Sequence, residues 1–221
     1  VAGVSGNGQK ELGDVVLGLE RCVSGIKYLW GQNATNWSVA RIRSSGVAFI
    51  PEDPLGMAAV AGLTVEENMA LSNTRRYARQ GGLSMDWKSV RDDIERSLKR
   101  LGFEIPPLNK PVGALSGGNI QRMILAREMA GNPKLILAFS PTRGLDVQSA
   151  IAARELLMAS RNTGAGVLLI SEDLGELFSL SDRLVVLFRG RIVGTGTPQE
   201  LTINEVGYLM TGSRGEHGLN K

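Results

Sequence analysis

Short apolar runs alternate along this chain with longer segments in which apolar residues recur at helical spacing. The short runs predict buried strands at 1–4, 25–30, 46–50, 134–139, 167–170, 184–188 and 191–193. The longer segments predict helices at 9–19, 85–102 and 147–162. A further helix is predicted with an apolar stripe made of Ile120, Met123, Ile124 and Ala130. Strands that alternate with helices are typical of an α/β fold with a mainly parallel sheet.

The region between the third and fourth predicted strands is mostly helical. Thr64 and Glu67 have the spacing of a capping box, and Gly81-Gly82 breaks the polar segment that follows. The next helix carries an apolar face, made of Val90, Ile94, Leu98 and Leu101. We therefore predict one domain, 1–221, with an α/β core at 1–62 and 132–211 and a helical subdomain at 63–131.

The end of the chain carries one further helix signal. Thr197-Pro198-Gln199-Glu200 combines an N-cap residue, a first-turn proline and a reciprocal Glu, which predicts that a terminal helix begins there. The polar tail 212–221 is expected to be mobile. His217, the single histidine, lies in that tail and is expected to be a solvated surface residue.

Composition narrows the class of protein. With 221 residues, 43% of them hydrophobic, the chain can bury a full core. The net charge of +3 comes without a basic block, so we expect no nucleic-acid partner. Cys22 is the only cysteine, which excludes an internal disulfide. No apolar run approaches the roughly 20 residues of a membrane span, so any membrane role is expected to be peripheral.

A glycine-rich loop joins the first predicted strand to the first helix. Its glycines, Gly3 and Gly8, stand at the ends of the G-x-x-x-x-G spacing of phosphate-binding loops. Such loops continue with a Lys for the phosphates and a Ser/Thr for magnesium, but this chain has Gln9 and Lys10 there. A plain helix-capping turn therefore remains an alternative. The candidate binding residues are Gly3, Ser5, Gly6, Asn7, Gly8, Gln9 and Lys10.

A second candidate site is the segment Leu115-Ser116-Gly117-Gly118-Asn119, at the start of another helix. Free N–H groups in the first turn of a helix bind anions, and adjacent glycines allow close approach. A Ser-capped surface helix would also explain these residues. However, Pro141-Thr142-Arg143-Gly144-Leu145-Asp146 follows after one strand. The two segments together are far more specific than either alone.

These motifs resemble the nucleotide-binding domain of ABC transporters. LSGGN is similar to the signature motif, PTRGLD to the end of Walker B with the D-loop, and VAGVSGNGQK to a remnant of Walker A. With IPED, LTVEEN and LLISEDL, the chain looks most like the second, C-terminal half of fused ATPases for nucleoside or simple-sugar import. The resemblance implies a P-loop NTPase (RecA-like) fold. A start at Val1 suits a fragment of such a chain.

The resemblance also implies that this half has lost its own catalytic residues. The magnesium-positioning Asp falls at Phe139, the catalytic Glu at Ser140 and the switch histidine at Glu172. Glu52 stands at the Gln position of the Q-loop, and Asp146 closes the D-loop. A phenyl ring and a hydroxyl cannot replace the two carboxylates. We therefore expect weak, largely magnesium-independent nucleotide binding at this half.

In the ABC transporters that this chain resembles, each ATP lies between the Walker A motif of one half and the signature motif of the other. The resemblance therefore implies that this chain completes the site of a partner half, with ATP and Mg²⁺ bound there. It also implies permease subunits, contacted through the Glu52 loop and the helical subdomain, and indirectly a solute-binding protein, at the cytoplasmic face of the cell membrane. Two alternatives remain: an independent ATPase that uses Lys10, and a structural or regulatory module that binds no nucleotide.

Overall fold

The computed structural model describes residues 1–102, 104 and 106–213. The predictions for His217 and for the tail after Ser213 lie outside these residues, as does the side chain of Leu101. The helices are α1 Gln9–Leu17, α2 Val39–Ser44, α3 Pro54–Met57, α4 Val65–Ala70, α5 Thr74–Tyr77, α6 Trp87–Leu101, α7 Gly117–Met129, α8 Val147–Asn162, α9 Leu174–Leu180 and α10 Ile203–Thr211. The strands are β1 Tyr28–Leu29, β2 Gln32–Asn33, β3 Val47–Ile50, β4 Ala78–Arg79, β5 Ser84–Met85, β6 Leu135–Phe139, β7 Gly166–Ile170, β8 Leu184–Phe188 and β9 Arg191–Gly196.

The chain divides into two compact units, of which the first comprises Val1–Val47 and Leu168–Lys221. Ala2 forms parallel bridges with Ser171 and with Val186. Strands β8 and β9 form an antiparallel hairpin. Because the carboxyl ends of parallel strands meet at one edge, the loop after Ala2 and the residues after Ser171 come together there.

The second unit comprises Ala48–Val167. Strand β6 lies between β3 and β7 in a three-stranded sheet, and helices occur in both connections, as parallel neighbours require. Helices α4, α6 and α7 pack against one another. The apolar face of α7 is buried as predicted at Ile120, Met123 and Ile124, whereas Ala130 is an exposed C-cap residue. That packing positions the amino end of α7.

Three predicted elements need correction. The strand expected at 1–4 is reduced to isolated bridges at Ala2. The strand expected at 25–30 is only Tyr28–Leu29, because the chain reverses at Trp30 and Gly31, both with positive φ, into a short hairpin with β2. The helix expected from Thr197 begins instead at Ile203. Thr202 and Glu205 form a complete capping box, whereas Thr197 and Glu200 close only a single turn. The helix begins at the second capping box because the residues that follow it include Val206 and Met210, which are buried on one face of α10.

Among the described residues, no helix combines the length and the apolar character needed to cross a bilayer.

Asn68 stabilises the segment between α3 and α4 and carries a stability prediction. Its side chain is buried, accepts from the Val60 N–H at 2.8 Å and donates to the carbonyls of Val60 and Thr64, both at 3.0 Å. Asn68→Ala leaves these part-buried backbone groups without the amide, so we expect a loss of about 2–3 kcal/mol of unfolding free energy. Urea unfolding measures it.

The matched control is Asn73→Ala, because Asn73 is exposed and its side chain makes no capping hydrogen bond. A substitution of that kind should change the unfolding free energy by less than about 0.5 kcal/mol. Equal losses for the two variants would contradict the role assigned to Asn68.

Candidate functional site

The loop of residues 3–8 has the backbone that the spacing predicts. Gly6 and Gly8 adopt φ values of 85° and 108°, in the left-handed region that favours glycine. A Cβ on Gly8 would also lie 3.2 Å from the Cα of Gly190. Gly8 is the N-cap of α1 and offers no side chain to it, so the first N–H groups of that helix face the loop.

Asn7 holds this loop against the β8–β9 turn, a contact that the sequence did not predict. Its backbone carbonyl accepts from the Gly190 N–H at 2.9 Å, and its side-chain Oδ1 accepts from the Arg189 N–H at 2.8 Å. Arg189 itself has a positive φ of 48°. The only signal in the sequence is the Arg-Gly pair of a hairpin turn, which does not indicate its partner.

Gln9 lies inside the loop, at the position where the resemblance places the phosphate-binding lysine. The residue is only 7% exposed, and its Nε2 donates to the carbonyl of Val4 at 3.0 Å. Its Oε1 is buried and has no hydrogen-bond partner in the described structure. A Cβ on Gly3 would come within 2.2 Å of the Gln9 Nε2, so a larger residue there would displace this amide. A neutral amide therefore lies where the resemblance places a cation.

Lys10 points away from the loop. Its side chain is 74% exposed, and its Nζ pairs with a carboxylate oxygen of Asp14 at 2.5 Å, one helical turn along α1. This hydrogen bond and the charge of Asp14 raise the pKa of Lys10. The Lys10 ammonium thus remains charged but is paired within α1. This pairing argues against the alternative in which Lys10 replaces the missing phosphate-binding lysine.

Glu172 contacts the loop directly. Its Oε1 accepts a hydrogen bond from the backbone N–H of Ser5 at 2.5 Å, although the two residues are 167 positions apart. The contact arises because Ser171 pairs with Ala2 in the parallel arrangement. A carboxylate therefore lies where a phosphate-binding loop offers its N–H groups.

The segment 115–119 lies in the second unit and forms the amino end of α7. Ser116 is the N-cap, and its Oγ accepts from the Asn119 N–H at 3.4 Å. Gly117 is exposed, and a Cβ placed on it would meet no atom within 4 Å. The first turn of this 13-residue helix is therefore accessible to an external group.

The segment 141–146 lies beside that helix. Gln121 donates to the carbonyl of Pro141 at 2.8 Å, and Arg122 donates to the Oγ of Ser149 at 3.2 Å. Asp146 caps α8 by accepting from the Ser149 N–H at 2.9 Å, and this hydrogen bond lowers the pKa of Asp146. The structure thus places the segments 115–119 and 141–146 side by side. These are the two motifs that, taken together, are far more specific than either alone. Gln121 and Arg122 were missed because helical spacing alone does not show their partners.

The end of β6 is apolar, as the sequence predicts. The ring of Phe139 packs edge-on against Phe49, with centroids 6.1 Å apart and planes at 82°. Ser140 follows with a positive φ of 41°, and Glu52 forms an ion pair with Arg143. That pairing is also one that the sequence did not predict. Within the described part of the chain, no group of His, Cys, Asp or Glu side chains is arranged to hold a metal ion.

These residues do not fit magnesium-dependent ATP binding at this half. The family resemblance places the phosphate-binding lysine at Gln9 and the switch histidine at Glu172, where the structure has a buried amide and a carboxylate. It places the magnesium-positioning Asp at Phe139, whose ring packs against Phe49. The segment 115–119 does fit a phosphate, because its N-cap hydroxyl and first-turn N–H groups are accessible.

The comparison with protein families shows to which family this chain belongs. The model of the family described as ABC transporter matches residues 1–143. The chain belongs to this family. The chain is 38% identical over 216 residues to the glucose import ATP-binding protein TsgD13 of Haloferax volcanii, covering 96% of this chain and 39% of that protein. It is 39% identical over 217 residues to the guanosine import ATP-binding protein NupO of Bacillus subtilis, covering 96% of this chain and 42% of that protein.

The solved structures agree with this family assignment at the level of the fold. The dimeric ABC cassette MJ0796 in a post-hydrolysis state, bound to ADP and phosphate, matches with a TM-score of 0.76 at 24% identity, covering 89% of this chain and 83% of that chain. The predicted ABC ATPase fold is therefore confirmed. The chain spans about 40% of the length of the two curated relatives.

Proposed function

We propose that this chain is one nucleotide-binding half of an ABC importer ATPase whose signature completes the hydrolytic site of a partner half. The observation that carries this proposal is the contrast between its two candidate sites. The segment 115–119 is an open, capped helix start with the D-loop beside it, whereas the loop 3–8 holds a neutral amide and contacts a carboxylate.

The signature segment acts electrostatically in this proposal. The Ser116 hydroxyl and the first N–H groups of α7 face the γ-phosphate of an ATP held by the partner, with Leu115, Gly118 and Asn119 shaping the turn. The positive end of the α7 helix dipole stabilises the negative charge on that γ-phosphate, which shifts during hydrolysis. Asp146 keeps the D-loop at the start of α8, next to this segment.

The two halves are therefore unequal. The partner supplies the phosphate-binding lysine and the magnesium and water-activating carboxylates, so ATP and Mg²⁺ are expected at its site. This half contributes no catalytic residue to an ATP site of its own, since the positions of the required lysine, carboxylates and histidine hold other residues, Gln9, Phe139, Ser140 and Glu172. As an enzyme, it is an ATPase component only in the assembled dimer.

The proposed partners follow from the same assignment. A second ABC ATPase half, in the same or another polypeptide, faces the signature. Permease subunits contact the Glu52 loop and the helical subdomain 63–131 of this single domain, and a solute-binding protein acts indirectly, at the cytoplasmic face of the membrane. Relatives named as guanosine, nucleoside and ribose import ATP-binding proteins support nucleosides or simple sugars as the solute class.

Reconstitution tests the proposal. The purified chain is mixed with a half that retains its phosphate-binding lysine and catalytic glutamate, and ATP hydrolysis is measured for each half and for the mixture. We expect turnover to rise in the mixture and to saturate near a 1:1 ratio, because each chain supplies one signature. Heat-denatured chain is the control. Equal turnover by the intact half with and without the folded chain would contradict the proposal.

A further inference from the structure

The contact between Glu172 and Ser5 has a clear physical origin. Ser171 is bridged to Ala2, so the chain leaves its strand beside the phosphate-binding loop, and the next side chain reaches the loop. The Glu172 carboxylate then accepts the Ser5 N–H. A hydrogen bond with an ionised acceptor is stronger than one between neutral groups.

The loop itself keeps the features of an anion site. Gly6 and Gly8 retain positive φ, and no side chain caps the first turn of α1, a helix of nine residues. The buried amide of Gln9 lies in the loop with an unpartnered Oε1. The loop therefore keeps backbone N–H donors for an anion, but Gln9 supplies no cation that would hold a multiply charged one.

We propose that the Glu172 carboxylate is an intramolecular substitute for a phosphate group in this loop, so that nucleotide phosphates bind here only by displacing it. One N–H cannot serve both anions at full strength, and the two negative charges repel each other at such short range. Because Glu172 is exposed, the carboxylate can swing into solvent without breaking the core. This inference deepens the proposed function, in which the loop is not the hydrolytic site, and rests on it.

Calorimetric titration of the whole chain tests the inference. The probes are pyrophosphate and ADP, each in the presence of a chelator that removes magnesium. Glu172→Gln and Glu172→Ala both remove the charged competitor, so we expect the dissociation constants of both probes to fall by about tenfold, the size expected for one hydrogen bond to a charged group.

Glu11→Gln is the matched control, because Glu11 is an exposed acid in the first turn of α1 and its substitution removes the same charge. We expect its dissociation constants to stay within about twofold of the unmodified chain, since a general charge effect at an exposed site is screened. Equal gains for Glu11→Gln and Glu172→Gln would overturn the inference, as would failure of both Glu172 variants to bind either probe more tightly than the unmodified chain.

Thermal unfolding adds an independent measurement. Without ligand, Glu172→Ala should unfold at a slightly lower temperature than Glu11→Gln, because it alone loses a contact with the loop. Pyrophosphate should then raise the unfolding temperature of Glu172→Ala more than that of the unmodified chain. A larger rise for the unmodified chain would overturn the inference. These measurements use the chain alone, so their outcome is separate from that of the reconstituted ATPase.

Discussion

Substitution Gly117→Asp should lower the ATPase turnover of the assembled complex by on the order of 10²-fold or more, which is typical of losing one preorganised contact to developing charge. The new carboxylate would stand at the accessible start of α7, against the γ-phosphate of the partner's ATP. Folding should be preserved, since Gly117 is exposed, has no positive φ and has no atom within 4 Å of an added Cβ. Steady-state hydrolysis in the reconstituted complex measures the effect.

Gly131→Asp is the matched control for that experiment. Gly131 lies beyond the carboxyl end of α7, is exposed, and likewise has open space around an added Cβ. This variant carries the same change in charge and should keep nearly full turnover. If Gly117→Asp also keeps full turnover while the chain is folded and incorporated, the signature plays no part in hydrolysis and the composite-site proposal is wrong.

The isolated chain should show negligible ATP hydrolysis, far below the turnover of about 1 per second or more that is usual for enzymes. Its loop offers the neutral Gln9 instead of a lysine, and Lys10 is paired with Asp14. The end of β6 offers Phe139 and Ser140, which neither position magnesium nor activate water. Phosphate release from chain purified by two independent routes measures the rate.

A double substitution sharpens this prediction. Gln9→Lys with Lys10→Thr restores the two positions of the loop but leaves Phe139 and Ser140 unchanged, so we expect tighter magnesium–ATP binding without turnover.

The unmodified chain provides the contradicting outcome. If hydrolysis near 1 per second co-purifies with it, this half is catalytically complete. The independent-ATPase alternative would then replace the asymmetric one.

Much of the fold was predictable because local patterns specify it. The capping box of Thr64 and Glu67 forms as expected, helix α8 has its predicted bounds, and α6, β3, β6, β7 and β8 lie within a few residues of theirs. Hydrophobic periodicity and caps act within a few residues, so a single sequence contains them. The start of α10 was wrong because two capping signals lie five residues apart, and only burial of Val206 and Met210 selects the second.

The sequence by itself also determined which residues stand where the family resemblance places catalytic groups, since the identities of Gln9, Phe139 and Glu172 are independent of folding. Only the tertiary structure decided what those groups do instead. Glu172 reaches the Ser5 N–H across 167 positions, and Glu52 pairs with Arg143 across 91. Such contacts depend on how parallel strands and their loops align, which residue types and local spacing do not specify.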